Sequence, residues 1–247
     1  MIGWLASVVL SSVLAAPVGL PVGTDVDYQL GGASEPASNV GIVVRDRSEP
    51  PAEGRYNICY VNGFQTQSNE KAFWRKHPGL VLRDAAGRPV VDEAWHEQLL
   101  DARTASKRAA LARIVGRWLR GCARDGYAAV ELDNLDSFTR SDGLLTRSQA
   151  LRYAALLVRS AHDHGLAVGQ KNLAGYDGTR IGFDFAVSEE CGRYDECGRY
   201  TEAFGDQVLM IEYRTPDFEA TCATYGATHA VVLRDRDLTP QGVHAWC

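Results

Sequence analysis

The chemistry available to this chain is concentrated in carboxylates that close short apolar runs. The stretch Tyr127-Ala-Ala-Val-Glu-Leu-Asp-Asn-Leu-Asp136 passes from small and branched residues into Glu131, Asp133 and Asp136. A matching run, Phe183-Asp-Phe-Ala-Val-Ser-Glu-Glu190, ends in Glu189 and Glu190. Two carboxyl groups facing one cavity can divide a hydrolysis between them: one gives a proton to the leaving oxygen, the other attacks or activates water. Lys171 and Glu212 hold comparable places in the runs 166–171 and 207–213. A crowd of carboxylates raises an ammonium pKa, which disfavours Lys171 as a Schiff-base nucleophile. A divalent cation on Glu131, Asp133 and Asp136 is a rival use of the same acids, and it requires the strand to run on to Asp136. Zinc is disfavoured because no Cys-x-x-Cys is present, and neither a metal nor a cofactor is expected.

These acids need a scaffold that brings several strand ends together. Eight segments read as strands: 25–30, 40–45, 56–61, 127–133, 166–171, 183–189, 207–213 and 229–234. A helix is expected over 106–125, where Leu111, Ile114, Val115, Trp118, Leu119 and Cys122 recur at helical spacing before Gly126. Another is expected over 148–164, after the capping pattern Thr146-x-x-Gln149 and before Gly165. Strands alternating with helices imply right-handed parallel units, and eight of them imply closure into a (β/α)8 TIM-like barrel. An open doubly wound sheet is the rival, but no Gly-x-Gly-x-x-Gly follows a strand. The first two connections are short and rich in Pro and Gly, and the tail after Arg236 leaves little room for an eighth helix, so the outer ring is expected to be incomplete. The long stretch between the third strand and the 106–125 helix holds Trp74, Trp95 and a candidate hairpin pairing 80–83 with 90–92.

Strand alternation assigns the acids to a face. In the fourth strand Ala129, Glu131 and Asp133 share one side, and if bulky residues meet the helices this side points inward. The same rule sends Lys171 inward in the fifth strand, Ala186, Ser188 and Glu190 in the sixth, and Glu212 in the seventh. A bulge after Ser188 would exchange Glu190 for Glu189. Glu190 would then feel the like charges of Glu189 and Glu212, which raise its pKa and suit a proton donor, while Asp133 near Lys171 suits the nucleophile or base. Trp74, Trp95 and Tyr60 are candidate platforms for sugar rings.

The 247 residues fit a single domain, and the formal charge of −5 argues against nucleic acid and anionic membranes as partners. Residues 1–16 read as a secretory signal, 17–24 as a short linker and 25–247 as the barrel, which places the mature chain outside the cell and off the membrane. The six cysteines then point to disulfides, with Cys191–Cys197 the favoured pair and Cys222–Cys247 a second.

Seven motifs in order carry a resemblance: Asp27-Tyr-Gln-Leu-Gly, Cys59-Tyr-Val-Asn, the Gly126–Asp136 stretch, Gly169-Gln-Lys-Asn172, Phe183–Cys191, Tyr194-Asp-Glu-Cys197 and Ile211-Glu-Tyr213. Over roughly residues 25–235 the chain resembles glycoside hydrolase family 114, the endo-α-1,4-polygalactosaminidases. The resemblance implies a (β/α)8 barrel that cleaves a cationic or partly acetylated galactosamine polysaccharide, here expected to act as a monomer. It implies Asp133 and Glu190 as the catalytic pair and the strand of Asp27 and Tyr28 at the floor or rim. The other residues expected around the substrate are Tyr60, Glu131, Asn134, Lys171, Glu189 and Glu212. A barrel that binds carbohydrate without cleaving it is the remaining alternative.

Overall fold

The apolar runs pair side by side in the order they occur. A computed structural model describes residues 17–247, and the expected export signal, 1–16, lies outside the described residues. The barrel strands are β1 (Asp25–Gln29), β2 (Val40–Asp46) and β3 (Tyr56–Asn62). A long insertion follows, with the short helix α1 (Lys71–Trp74) and the two-residue strands β4 (Val91–Asp92) and β5 (Glu97–Gln98). After the insertion, helix and strand alternate: α2 (Ala105–Asp125), β6 (Ala129–Asp133), α3 (Arg147–His162), β7 (Ala167–Lys171), β8 (Phe185–Glu189), α4 (Cys197–Phe204), β9 (Val208–Glu212), α5 (Thr215–Tyr225) and β10 (Ala230–Arg234). A last strand, β11 (His244–Trp246), closes the list.

In the main sheet, ordered β1-β2-β3-β6-β7-β8-β9-β10-β11, every pair is parallel except the last, in which β11 returns antiparallel along β10; β4 and β5 form a separate antiparallel pair. β1 and β10 pack side by side, so the single domain is a TIM-like barrel closed but for one seam. Side chains stitch that seam: Arg234 Nη1 reaches Asp27 Oδ1 at 3.1 Å, and Trp246 Nε1 donates to the Val26 carbonyl at 2.7 Å. The outer ring is incomplete where expected. No helix joins β1 to β2 or β2 to β3, and β11 takes the place of an eighth.

The helices start and stop on local chemistry. The Thr104 hydroxyl caps α2, which ends at Gly126 with φ 96°, a left-handed value that glycine adopts without strain. α3 begins with the reciprocal Thr146/Gln149 capping box.

Two apolar layers follow from strands buried on both faces. The outer one packs Val130, Leu132, Val168, Ala186, Val208 and Met210 against the helices. The inner one fills the barrel with Val26, Tyr28, Ile42, Val44, Ile58, Ala129, Ala167, Phe185, Val187, Leu209 and Ile211. The expected register therefore holds for β6 and β7 and is reversed in β8 and β9: Phe185, Val187 and Glu189 face inward, and Met210 and Glu212 face out. The reason is volume, since Ala129, Ala167 and Gly169 leave the interior half empty. A Cβ on Gly169 would lie only 2.4 Å from the Phe185 ring, so the small residue of one strand makes room for the large one of the next.

The two expected disulfides are present, Cys191–Cys197 and Cys222–Cys247, and a third, Cys59–Cys122, ties β3 to α2. Residues 17–24 do not hang free: Leu20 is buried against the barrel floor, and its amide donates to Gln207 Oε1 at 2.7 Å.

Candidate active site

The carboxyl ends of β2, β3, β6, β7 and β8 open into a cavity of about 470 Å³. Alternation brings Asp133 to its wall from β6 and Glu189 from β8, with Lys171 between them at the end of β7. Lys171 Nζ lies 3.2 Å from Glu189 Oε2, 3.6 Å from Asp133 Oδ1 and 2.9 Å from Glu131 Oε1. Burial acts to lower the pKa of this ammonium, but Asp133, Glu131 and Glu189 outweigh it and hold the pKa well above the ordinary lysine value. Lys171 is thus a fixed cation between two acids and no Schiff-base nucleophile.

Hydroxyls aim both acids. Tyr60 donates to Asp133 Oδ2 at 2.6 Å, and the Asn134 amide donates to Asp133 Oδ1 at 2.7 Å. On the other wall Tyr213 donates to Glu189 Oε1, and the Glu189 amide is held by Asn172 Oδ1 at 2.9 Å. Beneath them Tyr28 donates to Glu131 Oε1 at 2.6 Å and in turn receives a hydrogen bond from Lys171 at 2.8 Å. Glu131 and Tyr28 are fully buried and form the floor, out of reach of a ligand. Burial raises the Glu131 carboxyl pKa, and the Lys171 ammonium opposes that rise.

The sequence matches the model of glycoside-hydrolase family GH114 over residues 10–247. The chain belongs to that family. This GH114 chain is accordingly a glycosidase. Among solved structures it is similar to Aspergillus fumigatus Ega3, crystallised in complex with galactosamine, with a TM-score of 0.76 at 20% identity over 95% of this chain and 100% of that one. It is also similar to the glycoside hydrolase domain of PelA from Pseudomonas aeruginosa, with a TM-score of 0.61 at 19% identity over 90% of this chain and 98% of that one. At these identities the likeness concerns the fold. No curated protein sequence matches the chain.

Within the GH114 barrel the structure unites Tyr60, Asp133, Asn134, Lys171 and Glu189 on the cavity wall. It leaves three other expected residues elsewhere. Glu190 takes φ 57° just past β8 and turns to Arg193 Nη1 at 2.6 Å and Arg236 Nη1 at 2.9 Å. Burial acts upward on its carboxyl, but those two hydrogen bonds win and hold the pKa below the ordinary glutamate value, opposite to the expectation for a proton donor. Glu212 lies on the outer face of β9, where it accepts from the Gly192 amide at 2.7 Å. Asp27 faces the seam, paired with Arg234 and His244.

The metal reading loses its ligands to other partners: Glu131 is spent on Lys171 and Tyr28, and Asp136 on Arg140 at 2.9 Å. The ligand-like cluster Cys191, Cys197 and Glu212 offers no thiolate, because its cysteines form a disulfide. Trp74 is core, packed on Phe73 and Trp118, whereas Trp95 is exposed at the cavity rim. Residues not foreseen as site members also line the cavity, among them Asp46, Asp92, Glu97, Asn172, Tyr213 and Arg236. Asp46 ends β2 just as Asp133 ends β6, so the strand-end rule could have found it.

Proposed function

We propose that this chain is a secreted, endo-acting hydrolase of α-1,4-linked galactosamine polymers, with Asp133 as nucleophile and Glu189 as general acid and base. One observation carries the assignment: Asp133 and Glu189, on the two strands that flank β7, reach the same Lys171 nitrogen at 3.6 and 3.2 Å in an open cavity. In the first step Glu189 gives its proton to the glycosidic oxygen as that C–O bond breaks, and Asp133 forms a bond to the anomeric carbon. In the second, Glu189 takes a proton from water, which displaces Asp133 and frees the new end. The two-step route is the one in which the carboxyls stand about 5–5.5 Å apart, a separation that two acids held by one ammonium can adopt. Lys171 positions both acids.

The substrate reading is supported by the motif resemblance, by the galactosamine held in the Ega3 complex, and by the excess of acids over cations around the cavity. Three disulfides suit an oxidising, extracellular setting. Among the described residues no helix is long and apolar enough to cross a membrane.

The test is digestion of a galactosamine polymer by wild type, Asp133→Asn and Glu189→Gln, with the anomer first released followed by proton NMR. Oligomers from wild type, a loss of ~10²–10⁴-fold in each variant and release of the α-anomer are expected. An active Glu189→Gln variant overturns the pair, and release of the β-anomer overturns the two-step route.

A further inference from the structure

Among the cavity carboxylates that have no part in the reaction proposed above, Glu97 stands apart. Glu97 opens β5, on the hairpin whose turn carries the rim residues Ala94 and Trp95. Its Oε2 accepts a hydrogen bond from Asn62 Nδ2 at 2.7 Å. Asn62 ends β3 and is paired in register with Asp133 of β6, so this bond moors Glu97 beside the proposed nucleophile.

The cations around the cavity are already committed. Lys171 serves Asp133 and Glu189, Arg140 serves Asp92 and Asp136, and Arg236 serves Glu190. Glu97 has only the neutral Asn62 amide, and among the described residues no Lys, Arg or His nitrogen lies within ion-pair distance of it. Its acidic neighbours Asp133 from β6, Asp92 from β4 and Glu70 from the turn before α1 each have a cation of their own, in Lys171, Arg140 and Arg47. Burial first, and then these neighbours, push its carboxyl up to about 7 against the Asn62 hydrogen bond. A half-buried acid in the cavity that the fold leaves without a counter-ion, while its acidic neighbours have theirs, is a receptor for a cation that arrives with the ligand.

We infer that Glu97 is the specificity-determining residue of this site: its carboxylate receives the protonated C2 amine of the sugar ring lying against Asp133, and so selects free galactosamine units over acetylated ones. The inference rests on the galactosamine reading above and deepens it. An N-acetyl group in the same place brings no charge and leaves the acid unpaired in a site closed by the ring, a loss that binding must bear.

The experiment compares wild type and Glu97→Gln on fully deacetylated and fully N-acetylated galactosamine oligosaccharides. Glutamine preserves the acceptor for Asn62, and an unchanged melting temperature certifies the fold. The expected result is a fall of about 10–100-fold in kcat/KM on the free-amine substrate, mostly through KM, with the acetylated substrate unaffected or improved. An unchanged ratio between the two substrates overturns the inference. So does an equal collapse on both to the level of Asp133→Asn, which would make Glu97 part of the proton transfer. If wild type cleaves neither substrate the proposed reaction fails, and calorimetric binding of the same oligosaccharides then decides on Glu97. A preference for free amines that Glu97→Gln abolishes sustains its role, and equal binding removes it.

Discussion

Lys171 and Glu131 meet at 2.9 Å at the base of the cavity, with both side chains withdrawn from water. A buried pair of this kind is costly to break from one side, because the survivor is left charged without a partner. Lys171→Met is expected to lose about 3–5 kcal/mol of stability and essentially all hydrolysis. Adding Glu131→Gln neutralises the stranded acid, so the double variant should recover stability in urea unfolding while remaining inactive, since Asp133 and Glu189 still lack their common cation. Recovery of both would reduce Lys171 to a structural role.

Glu190 offers a sharper contrast with its neighbour. It anchors Arg236, whose guanidinium stacks over the Tyr213 ring at 5.4 Å, and Tyr213 holds Glu189. Glu190→Gln is therefore expected to keep substantial activity, losing about 3–10-fold in kcat as one charge-assisted contact weakens, with KM little changed. Steady-state kinetics beside Glu189→Gln makes the comparison, and an inactive Glu190 variant would contradict the inward register of Glu189.

Gly169 is a packing requirement of the inner layer. Gly169→Ala forces its new methyl into the Phe185 ring, and a loss of roughly 1–3 kcal/mol is expected. The pair Gly169→Ala with Phe185→Leu should regain part of that loss in thermal unfolding. An additive pair would show that the two strands do not exchange volume.

Glu212 gives a pH signature in stability. Burial pushes its carboxyl up to about 6, against the hydrogen bond from the Gly192 amide, compared with 4.5 for an unperturbed glutamate. A carboxyl that ionises less readily folded than unfolded favours the fold while protonated, so its contribution is full at low pH and is lost as pH rises from about 4.5 through 6. The step is worth roughly 1–2 kcal/mol, and Glu212→Gln should flatten it in denaturation curves taken across that range.

What the sequence discloses of this site depends on how asymmetric each strand is. In β6 the acids and Ala129 share one side and Val130 and Leu132 the other, so the inward face is legible from spacing alone. In β8 and β9 both faces are apolar, and which one turns inward depends on the space left by Gly169 and the alanines of neighbouring strands. That information belongs to three strands jointly, and no single run contains it. The hairpin bearing Glu97 escaped for another reason: strands of two residues are too short to show a period. The hairpin that was expected is present just before it, with Arg83 bridging Pro89 and the Val90 amide bonded to the Leu82 carbonyl. The incomplete helical ring was readable because Pro- and Gly-rich connections cannot sustain a helix.

Residues 244–247 cover the one edge that the barrel leaves open. A sheet closed on all but one side still presents a lip of ladder groups, and such lips recruit strands from other molecules. Here β11 occupies β10, the Trp246 indole engages the Val26 carbonyl of β1, and the Cys222–Cys247 bond locks the terminus over the join. The short C-terminal strand thus covers the free ladder of β10 and pins it to β1, so the one opening in the hydrogen-bonded wall is filled from within the same chain.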